Sequence, residues 1–298
     1  MSGCRCNIGL ANTGRPNCIP IQSVASRLII TELGNNLDLT PAGDIPDNID
    51  ALFTADVHSR WFPLPRFENV EIPKADSKYE EAPSGRKVFL RQGKRSFMGE
   101  LWEGDSHPHY LKQLQDMRCT KFGAFIIDVN NNLIGLRVGD EGVLRPIPLD
   151  NASWDPQMVF PTDSSTQKIK LSFDFDLNVD EGDLFMLSFE EIGYDFGTQN
   201  GLIDVTIANT GDLVGDQTAI LSVSSAFITT VADTPIEGLG SSIQCTVNGT
   251  PVTAATSTET APGEYTLTYA PGTFSASDVV VFSIALTSGY EGTLSVTL

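Results

Sequence analysis

The stretch KFGAFIIDVNNNLIGLRV, residues 121–138, carries the strongest local signal in the chain. Two runs rich in β-branched and aromatic residues flank three asparagines at 130–132, and asparagine tolerates the positive φ angle of a tight turn. A calcium loop would also begin with aspartate, but it needs a glycine at its sixth position, where Leu133 stands, and a glutamate at its twelfth, which is missing. The stretch therefore predicts a β-hairpin.

Further stretches around this hairpin alternate in the way that half-buried strands do. They are KVFLRQG (87–93), SFMGELWEG (96–104) and QKIKLSFDFD (167–176). The last alternates most cleanly, with Ile169, Leu171, Phe173 and Phe175 on one face and Lys168, Lys170, Ser172 and Asp174 on the other. We expect the apolar face of this strand in the core and its polar face in water or at an interface.

Two stretches show helical spacing instead. In PDNIDALFTA (46–55), Asp47 is placed to cap a helix, and Ile49, Leu52 and Phe53 fall on one face. In DSHPHYLKQLQDMR (105–118), Asp105 or Ser106 is placed to cap, and Pro108 lies in the first turn, where its missing N–H costs nothing. The apolar stripe of this second helix consists of Tyr110, Leu111, Leu114 and Met117.

The rhythm of the sequence changes near residue 200, which predicts two domains, 1–199 and 200–298. Beyond the boundary, seven short strand candidates are separated by Gly, Pro, Asp and Ser, the cadence of an immunoglobulin-like sandwich. Asn248-Gly249 is a type I′ hairpin signal. Cys245 is the only cysteine of this part, so a disulfide between its sheets is excluded.

The net charge of −19 is distributed unevenly. Residues 171–298 contain no Lys or Arg and carry −17, whereas residues 1–170 carry −2. A surface without cations cannot neutralise phosphates, so we do not expect the C-terminal part to bind nucleic acid. Like-charged copies of it would also repel one another, which favours a soluble surface over a tight self-interface there.

The sequence predicts a protein that is made in a cytosol and does not enter a membrane. No run of eighteen apolar residues exists, and the N-terminus lacks the apolar region of a signal peptide. Five sparse cysteines are also unlike a secreted disulfide scaffold.

Three of the cysteines, Cys4, Cys6 and Cys18, lie close together in the N-terminal arm. A closed zinc site needs four ligands, so Cys119 or a histidine would have to join them. A metal site, a disulfide formed later in oxidising surroundings and simple packing of the arm all remain open, and the arm is a candidate contact between subunits. We assign no metal and no cofactor to the chain.

No catalytic constellation is visible in the sequence. The histidines are His58, His107 and His109, and the last two, being two residues apart on a helix, point in different directions. Neither a Gly-x-Ser-x-Gly nor an HExxH motif occurs. We therefore expect the chain not to be an enzyme and name no catalytic residue.

Two charged clusters are the remaining candidates for function. The basic cluster comprises Arg86, Lys87, Arg91, Lys94 and Arg95, with Phe89 and Phe97 interleaved. The acidic cluster comprises Asp174, Asp176, Asp180, Glu181, Asp183, Glu190 and Glu191. The basic cluster would contact nucleic acid or an acidic neighbour, including residues 174–195 of another copy, and the acidic cluster would be solvated or face a lumen.

Two resemblances to known proteins connect these observations. The segment PGEYTLTY (262–269) resembles the tyrosine-containing corner of bacterial immunoglobulin-like modules. A mixed domain of long strands with one packed helix, followed by such a module, resembles the major tail tube protein of long-tailed bacteriophages. The segments CRCNIGLANTGRPNCIPI, RSFMGEL, CTKFGAFIIDVNNNLIG and TDSSTQKIKLSFDFD also resemble virion proteins of phages that infect Bacteroides- and Flavobacterium-type hosts.

The tail-tube resemblance implies a mainly β fold, a tail-tube-like β-sandwich or barrel domain with one packed α-helix followed by an immunoglobulin-like β-sandwich. It implies hexameric rings that stack into a tube, contacts with other virion proteins, and passage of DNA without sequence-specific binding. The protein would be assembled in the host cytoplasm and end in the virion. A capsid decoration or connector protein and a host-surface or carbohydrate-binding adhesin are the alternatives.

Overall fold

Strands dominate the structure of the protein. The computed structural model describes residues 22–40, 45–137, 142–215, 217–225 and 234–298, and the backbone alone at 5–6, 18–19, 103–104 and 119. Strands hold 48% of the residues and helices 14%, so the expected mainly β class is confirmed, although the described sheets close no barrel. The chain divides into two compact units, Met1–Asn200 and Gly201–Leu298.

The first unit contains most of the strands and the three α-helices of the described residues. Its strands are β1 (Arg5–Cys6), β2 (Cys18–Ile19), β3 (Ala25–Glu32), β4 (Leu37–Asp38), β5 (Phe62–Pro63), β6 (Glu68–Glu71), β7 (Lys78–Glu81), β8 (Lys87–Arg91), β9 (Ser96–Trp102), β10 (Phe122–Asp128), β11 (Leu133–Leu136), β12 (Val143–Leu144), β13 (Ile147–Val159), β14 (Lys168–Phe175) and β15 (Leu184–Leu187). Its helices are α1 (Ile45–Phe53), α2 (Pro108–Asp116) and α3 (Phe189–Ile192).

The helices correct the expectation of one packed α-helix, because three occur within the described residues. Helix α1 begins at Ile45, so the prediction that Asp47 caps it is wrong; Asp47 lies inside the first turn, where a carboxylate is favoured by the positive end of the helix dipole. Ile45, Ile49 and Phe53 are its buried residues, one turn apart on one face. The predicted helix at 46–55 is therefore confirmed with slightly earlier bounds.

Helix α2 confirms the second predicted helix but not its cap. A separate 3-10 turn occupies Glu103–Ser106, so neither Asp105 nor Ser106 is the cap. The helix starts at Pro108, and His107 caps it by accepting a hydrogen bond at Nδ1 from the His109 N–H at 3.1 Å. A proline at the first helical position sacrifices no hydrogen bond.

One nine-stranded sheet organises the first unit. Its strands run in the order β15-β11-β10-β13-β14-β9-β6, and β3 pairs with the other edge of β10 and with β5. Strand β10 therefore has β3 along one edge, while β11 and β13 share the opposite edge. Three short additional sheets, β1 with β2, β12 with β4, and β7 with β8, lie outside this arrangement.

Strands β10 and β3 lie between two hydrophobic cores. Every residue of β10 is buried. The alternate side chains of the two strands enter different cores, for example Ala124 and Ile126 the first and Phe125 and Ile127 the second. The first core also contains residues of β9, β13 and β14 and Leu114 of α2, and the second contains the buried residues of α1. Strand β10 thus has no face toward water.

The predicted hairpin at 121–138 forms between β10 and β11, with Ile127 opposite Leu133 and Ile126 opposite Ile134. Asn131 adopts a positive φ of 65°, the conformation for which an asparagine is suited. The buried Asp128 carboxylate accepts hydrogen bonds from the backbone N–H of Ser23, Asn130 and Asn132 and from the Asn132 side chain, all at 2.8–2.9 Å. One aspartate thereby organises the whole turn.

The remaining strand predictions for the first unit have mixed outcomes. Strand β14 alternates as predicted, with Ile169, Leu171, Phe173 and Phe175 buried. Strand β9 alternates as well, burying Phe97, Gly99 and Leu101. The half-buried strand predicted at 87–93 is wrong, because every residue of β8 is exposed. Alternation of residue types identifies β8 as a strand, but not whether anything packs on it.

The second unit consists of a five-stranded and a four-stranded sheet. Their orders are β20-β21-β17-β16-β23 and β19-β18-β22-β24. The strands are β16 (Ile203–Asn209), β17 (Thr218–Ser225), β18 (Ile243–Val247), β19 (Thr250–Val252), β20 (Thr256–Ala261), β21 (Glu264–Thr268), β22 (Val279–Ile284), β23 (Tyr290–Glu291) and β24 (Thr293–Thr297). Residues of both sheets form one hydrophobic core. The predicted Asn248-Gly249 hairpin is confirmed, with φ of 49° and 80° between β18 and β19.

Candidate functional site

The candidate metal-binding residues named from the sequence do not come together in the part of the chain that the structure describes. Among the described side chains, no cluster of three or more His, Cys, Asp or Glu is placed to hold a metal ion. His58 lies on the surface with Nδ1 2.8 Å from Glu32 Oε1, and His107 serves as the cap of α2. The expectation that the chain is not an enzyme stays a prediction.

The N-terminal cysteines fall mostly outside the described residues. Cys4 lies outside them, whereas the backbone of Cys6 pairs with that of Cys18 in the β1–β2 ladder. Metal site, disulfide and simple packing therefore stay open for these three residues. Cys245 is buried in the second unit, where burial raises the pKa of its thiol.

The basic cluster at 86–95 does not form one patch, which corrects the interpretation from the sequence. Lys94 Nζ lies 3.0 Å from Asp150 Oδ2 and 3.2 Å from Asp174 Oδ2, and these hydrogen bonds raise the pKa of the Lys94 ammonium. The Arg95 guanidinium donates twice to Glu181 Oε1, at 2.9 and 2.7 Å. Both cations are thus neutralised within the chain.

The acidic cluster at 174–191 is divided in the same way. Asp174 belongs to the ion pair with Lys94, and Glu181 is held between Lys74 and Arg95, whose hydrogen bonds lower the pKa of its carboxyl. Asp180 caps the short turn that follows it by accepting from the Gly182 N–H. These three members of the cluster therefore serve different local contacts, and whether the cluster faces a lumen stays a prediction.

The polar face of the layer β13-β14-β9-β6 is a broad surface of the sheet. The strand registers place on it Glu68 and Glu71 of β6, Ser96, Met98, Glu100 and Trp102 of β9, Lys168, Lys170, Ser172 and Asp174 of β14, and Asp155, Gln157 and Val159 of β13. The opposite face of the same strands is apolar and buried in the first core. Strand β14 therefore has the two unlike faces that its sequence predicts.

The cations of this polar face are paired with carboxylates. Lys168 Nζ lies 2.8 Å from Glu100 Oε2 and 5.1 Å from the centroid of the Trp102 ring, and Lys170 Nζ lies 3.7 Å from Glu100 Oε1. Burial pushes the pKa of Glu100 upward, but hydrogen bonds from Lys168, Asn69 and Trp102 bring it below its ordinary value. A face whose lysines are neutralised offers little to a phosphate backbone.

The hairpin of β7 and β8, which we call the free hairpin (residues 78–91), belongs to neither hydrophobic core of the first unit. Its nine strand residues are all exposed. Tyr79 and Phe89 form an edge-to-face pair on one of its faces, with ring centroids 5.7 Å apart, and Val88 lies on the other. Tyr79, Phe89 and Leu90 are 58%, 56% and 55% exposed.

A second exposed surface lies where α1 and α3 cover the second core. We call it the acidic face, and it comprises Asp47, Asp50, Glu190, Glu191 and Asp195. The Tyr194 hydroxyl donates to Asp50 Oδ1 at 2.5 Å and so links the two helical segments. All five acids are exposed, and none has a Lys or Arg within ion-pair distance among the described residues.

A cavity of about 280 Å³ lies in the first unit, and several of its lining residues are apolar and buried. The buried apolar residues that line it are Ile126, Ile134, Ile147 and Phe175. On its rim, Lys74 and Arg95 are both bonded to Glu181. These rim charges are therefore satisfied within the protein.

The second unit has a buried tyrosine at the place where the sequence predicts a corner. Tyr265 is fully buried, donates its hydroxyl proton to the Ile236 carbonyl at 2.6 Å and accepts from the Leu239 N–H at 3.0 Å. Of the other described aromatic residues of this unit, Tyr269, Phe274 and Phe282 are buried and Tyr290 is half-buried. The described surface of the unit thus presents no aromatic platform for a sugar.

Within the described residues, no helix is long and apolar enough to cross a bilayer. Comparison of the chain with models of protein families, with curated proteins and with solved structures finds no match.

Proposed function

We propose that the chain is a structural subunit of a bacteriophage virion, the tail tube protein whose hexameric rings stack into the conduit for DNA. The observation that carries the proposal is the two-faced layer β13-β14-β9-β6 in an open sheet. Its apolar face is buried, its polar face is free, and its last strand, β6, ends the sheet. Such a layer suits a subunit whose neighbours continue the sheet into a barrel around a channel.

The charges of the polar face support a channel through which DNA slides. Sequence-independent binding to DNA comes from cations that neutralise phosphates. The lysines at this face are already paired with Glu100, Lys168 at 2.8 Å and Lys170 at 3.7 Å, and Lys94 beside the face is paired with Asp150 and Asp174. In such a channel the lysines facing DNA would already be ion-paired. DNA would therefore pass without sequence-specific contact.

The second unit supports an accessory module on the outside of the particle. Two sheets around one core and the buried Tyr265 suit an immunoglobulin-like sandwich. Its residues 201–298 contain no Lys or Arg, so copies of it repel one another. Its described aromatic side chains are buried or half-buried, which disfavours the adhesin alternative.

Electron microscopy of the purified protein over a concentration series tests the proposal. We expect six-fold rings or hollow tubes, which in the host would form in the cytoplasm and enter the virion with other virion proteins. Stable monomers at all concentrations would contradict the proposal. A closed oligomer of another symmetry would favour the capsid decoration or connector alternative, and a specific hit in a glycan screen would favour the adhesin.

A further inference from the structure

We infer that the free hairpin of one copy docks on the acidic face of a second copy, in a head-to-tail contact between identical chains. The inference rests on the proposed function, because it names the contact through which the copies assemble. Four observations carry it: the exposure of the hairpin, its apolar side chains, its unpaired cations and the complementary composition of the acidic face.

The free hairpin lacks the packing that a two-stranded sheet needs. An isolated hairpin is at best marginally stable in water, and further strands or a packed neighbour are required to hold it. Here both faces are open, with Tyr79 and Phe89 on one and Val88, 43% exposed, on the other. A surface that covers at least one of these faces would stabilise the hairpin by burying apolar area.

The unpaired cations of the first unit are concentrated on the hairpin. Lys78, Arg86, Lys87 and Arg91 have neither an ion pair nor a side-chain hydrogen bond within the described residues. With Glu80 and Glu81 the hairpin carries a net charge of +2, in a chain whose net charge is −19. Its natural partner is therefore an acidic surface, and this chain supplies one.

The acidic face has the complementary composition. It offers five carboxylates without a cation among the described residues, and Phe189 beside Glu190 is 42% exposed. The hairpin combines aromatic rings with cations, and the acidic face combines an aromatic ring with carboxylates. Docking would bury the rings against one another and pair the charges around them, the usual arrangement of an apolar centre and a polar rim.

The geometry of the contact follows from the two surfaces being different. The hairpin is exposed on its own copy, so it does not cover its own acidic face. A contact between two unlike patches of identical chains is heterologous, and repetition of it produces a closed ring or an open filament. This is the type of contact that the proposed rings require.

Charge reversal on each surface tests the inference in the full-length protein. The hairpin variant combines Lys78→Glu with Arg91→Glu. These two residues lie opposite each other, and the pair carries two like charges both before and after the substitutions. The repulsion within the hairpin is therefore unchanged. The face variant combines Asp47→Lys with Glu190→Lys, which spares Glu191, part of the capping box of α3, and Asp50, the partner of Tyr194. The matched control combines Lys112→Glu with Lys121→Glu, two exposed cations outside the hairpin.

Sedimentation velocity over a concentration series is the readout, with far-UV circular dichroism and thermal unfolding to verify the fold. We expect each variant to weaken self-association by about tenfold or more, because complementary charge pairs across the interface are lost and like charges are introduced among them, and the control to leave it unchanged. An equimolar mixture of the two variants should associate again, since the unaltered hairpin of the face variant meets the unaltered acidic face of the hairpin variant. Higher ionic strength should weaken assembly of the wild type.

The outcomes separate this inference from the proposed function. If the wild type never assembles, the proposed function fails, and the inference with it. If the wild type assembles and the hairpin variant assembles equally well, the inference alone is overturned. It is also overturned if the two variants do not associate with each other in the mixture, or if the hairpin variant loses binding to a DNA duplex while its assembly stays intact.

Discussion

At the scale of single residues, Asp128 connects three parts of the first unit. Its carboxylate holds the turn between β10 and β11 and the backbone of Ser23. This turn also positions the segment after β15. Asn132 Oδ1 accepts a hydrogen bond from the Phe189 N–H. The Asn131 side chain donates to the Tyr194 carbonyl and accepts from the Phe196 N–H. Part of the acidic face is therefore positioned by one buried carboxylate.

We predict that Asp128→Ala destabilises the first unit. Four donors lose their acceptor, and buried donors left unpaired cost free energy, so we expect the free energy of unfolding to fall by about 3 kcal/mol. Denaturant unfolding measures the change. Asp163→Ala, on an exposed turn, is the matched control and should change stability little. A loss below about 1 kcal/mol for Asp128→Ala would contradict this role.

The hydroxyl of Tyr265 has a comparable role in the second unit. Tyr265→Phe keeps the buried ring but leaves the Leu239 N–H and the Ile236 carbonyl without their partner. We expect a loss of about 2 kcal/mol in the free energy of unfolding of this unit, measured by denaturant unfolding. Tyr290→Phe, at a half-buried position, serves as the comparison. Equal losses of unfolding free energy for the two substitutions would show that the Tyr265 hydroxyl makes no special contribution to stability.

At the scale of elements, the pairing of β9 with β14 makes stability depend on pH through Glu100. Its side chain is 12% exposed and pairs with Lys168, 18% exposed. The pKa of Glu100 is lower in the folded protein than its ordinary value of 4.5. The folded state therefore gains stability from the ionised carboxylate above pH 4.5, and this gain is lost as the pH falls through the folded pKa.

We predict that Glu100→Gln lowers the free energy of unfolding by about 2 kcal/mol at pH 7, because a charge-assisted hydrogen bond is lost and Lys168 is left without its partner. The difference from the wild type should shrink as the pH is lowered below 4.5. Thermal unfolding of both proteins between neutral and acidic pH measures it. A difference that stays constant across this range would refute the assignment to ionised Glu100.

Local signals predict several elements because those elements are determined by neighbours in sequence. The turn at 130–132 follows from asparagine conformations, and α1 and α2 follow from apolar spacing and, in α2, from Pro108. Helix α3 is not among the predicted elements, although Ser188 and Glu191 form a capping box that the sequence displays. Strand β20 is not among them either, because its residues, TSTETA, include no large apolar side chain whose alternation could be detected.

Long-range features cannot be read from local pattern. Strand β3 pairs along β10, with Ile30 opposite Ala124, and no local signal identifies so distant a partner. The same limit applies to the charged clusters. Lys87 and Lys94 belong to the same basic cluster of the sequence. Only the fold shows that Lys94 forms ion pairs with Asp150 and Asp174, whereas Lys87 is exposed on the free hairpin.

At the scale of the whole molecule, the two compact units have separate hydrophobic cores. We predict that a protein shortened to residues 1–200 still assembles, since the free hairpin and the acidic face both belong to the first unit. Residues 201–298 alone should remain monomeric, because they hold nine acids and no Lys or Arg. Electron microscopy and sedimentation of both fragments test this; a folded but unassembled first fragment would place the second unit in the contact.

The absence of Lys and Arg after residue 170 has a practical consequence for proteolysis. Trypsin cuts after these residues, so its last site is Lys170, inside strand β14, where the backbone is paired with Gln157 on one side and Glu100 on the other. Cleavage there requires β14 to leave the sheet. The rate at which trypsin releases the single fragment 171–298 therefore reports how readily the central layer opens. The measurement needs no label.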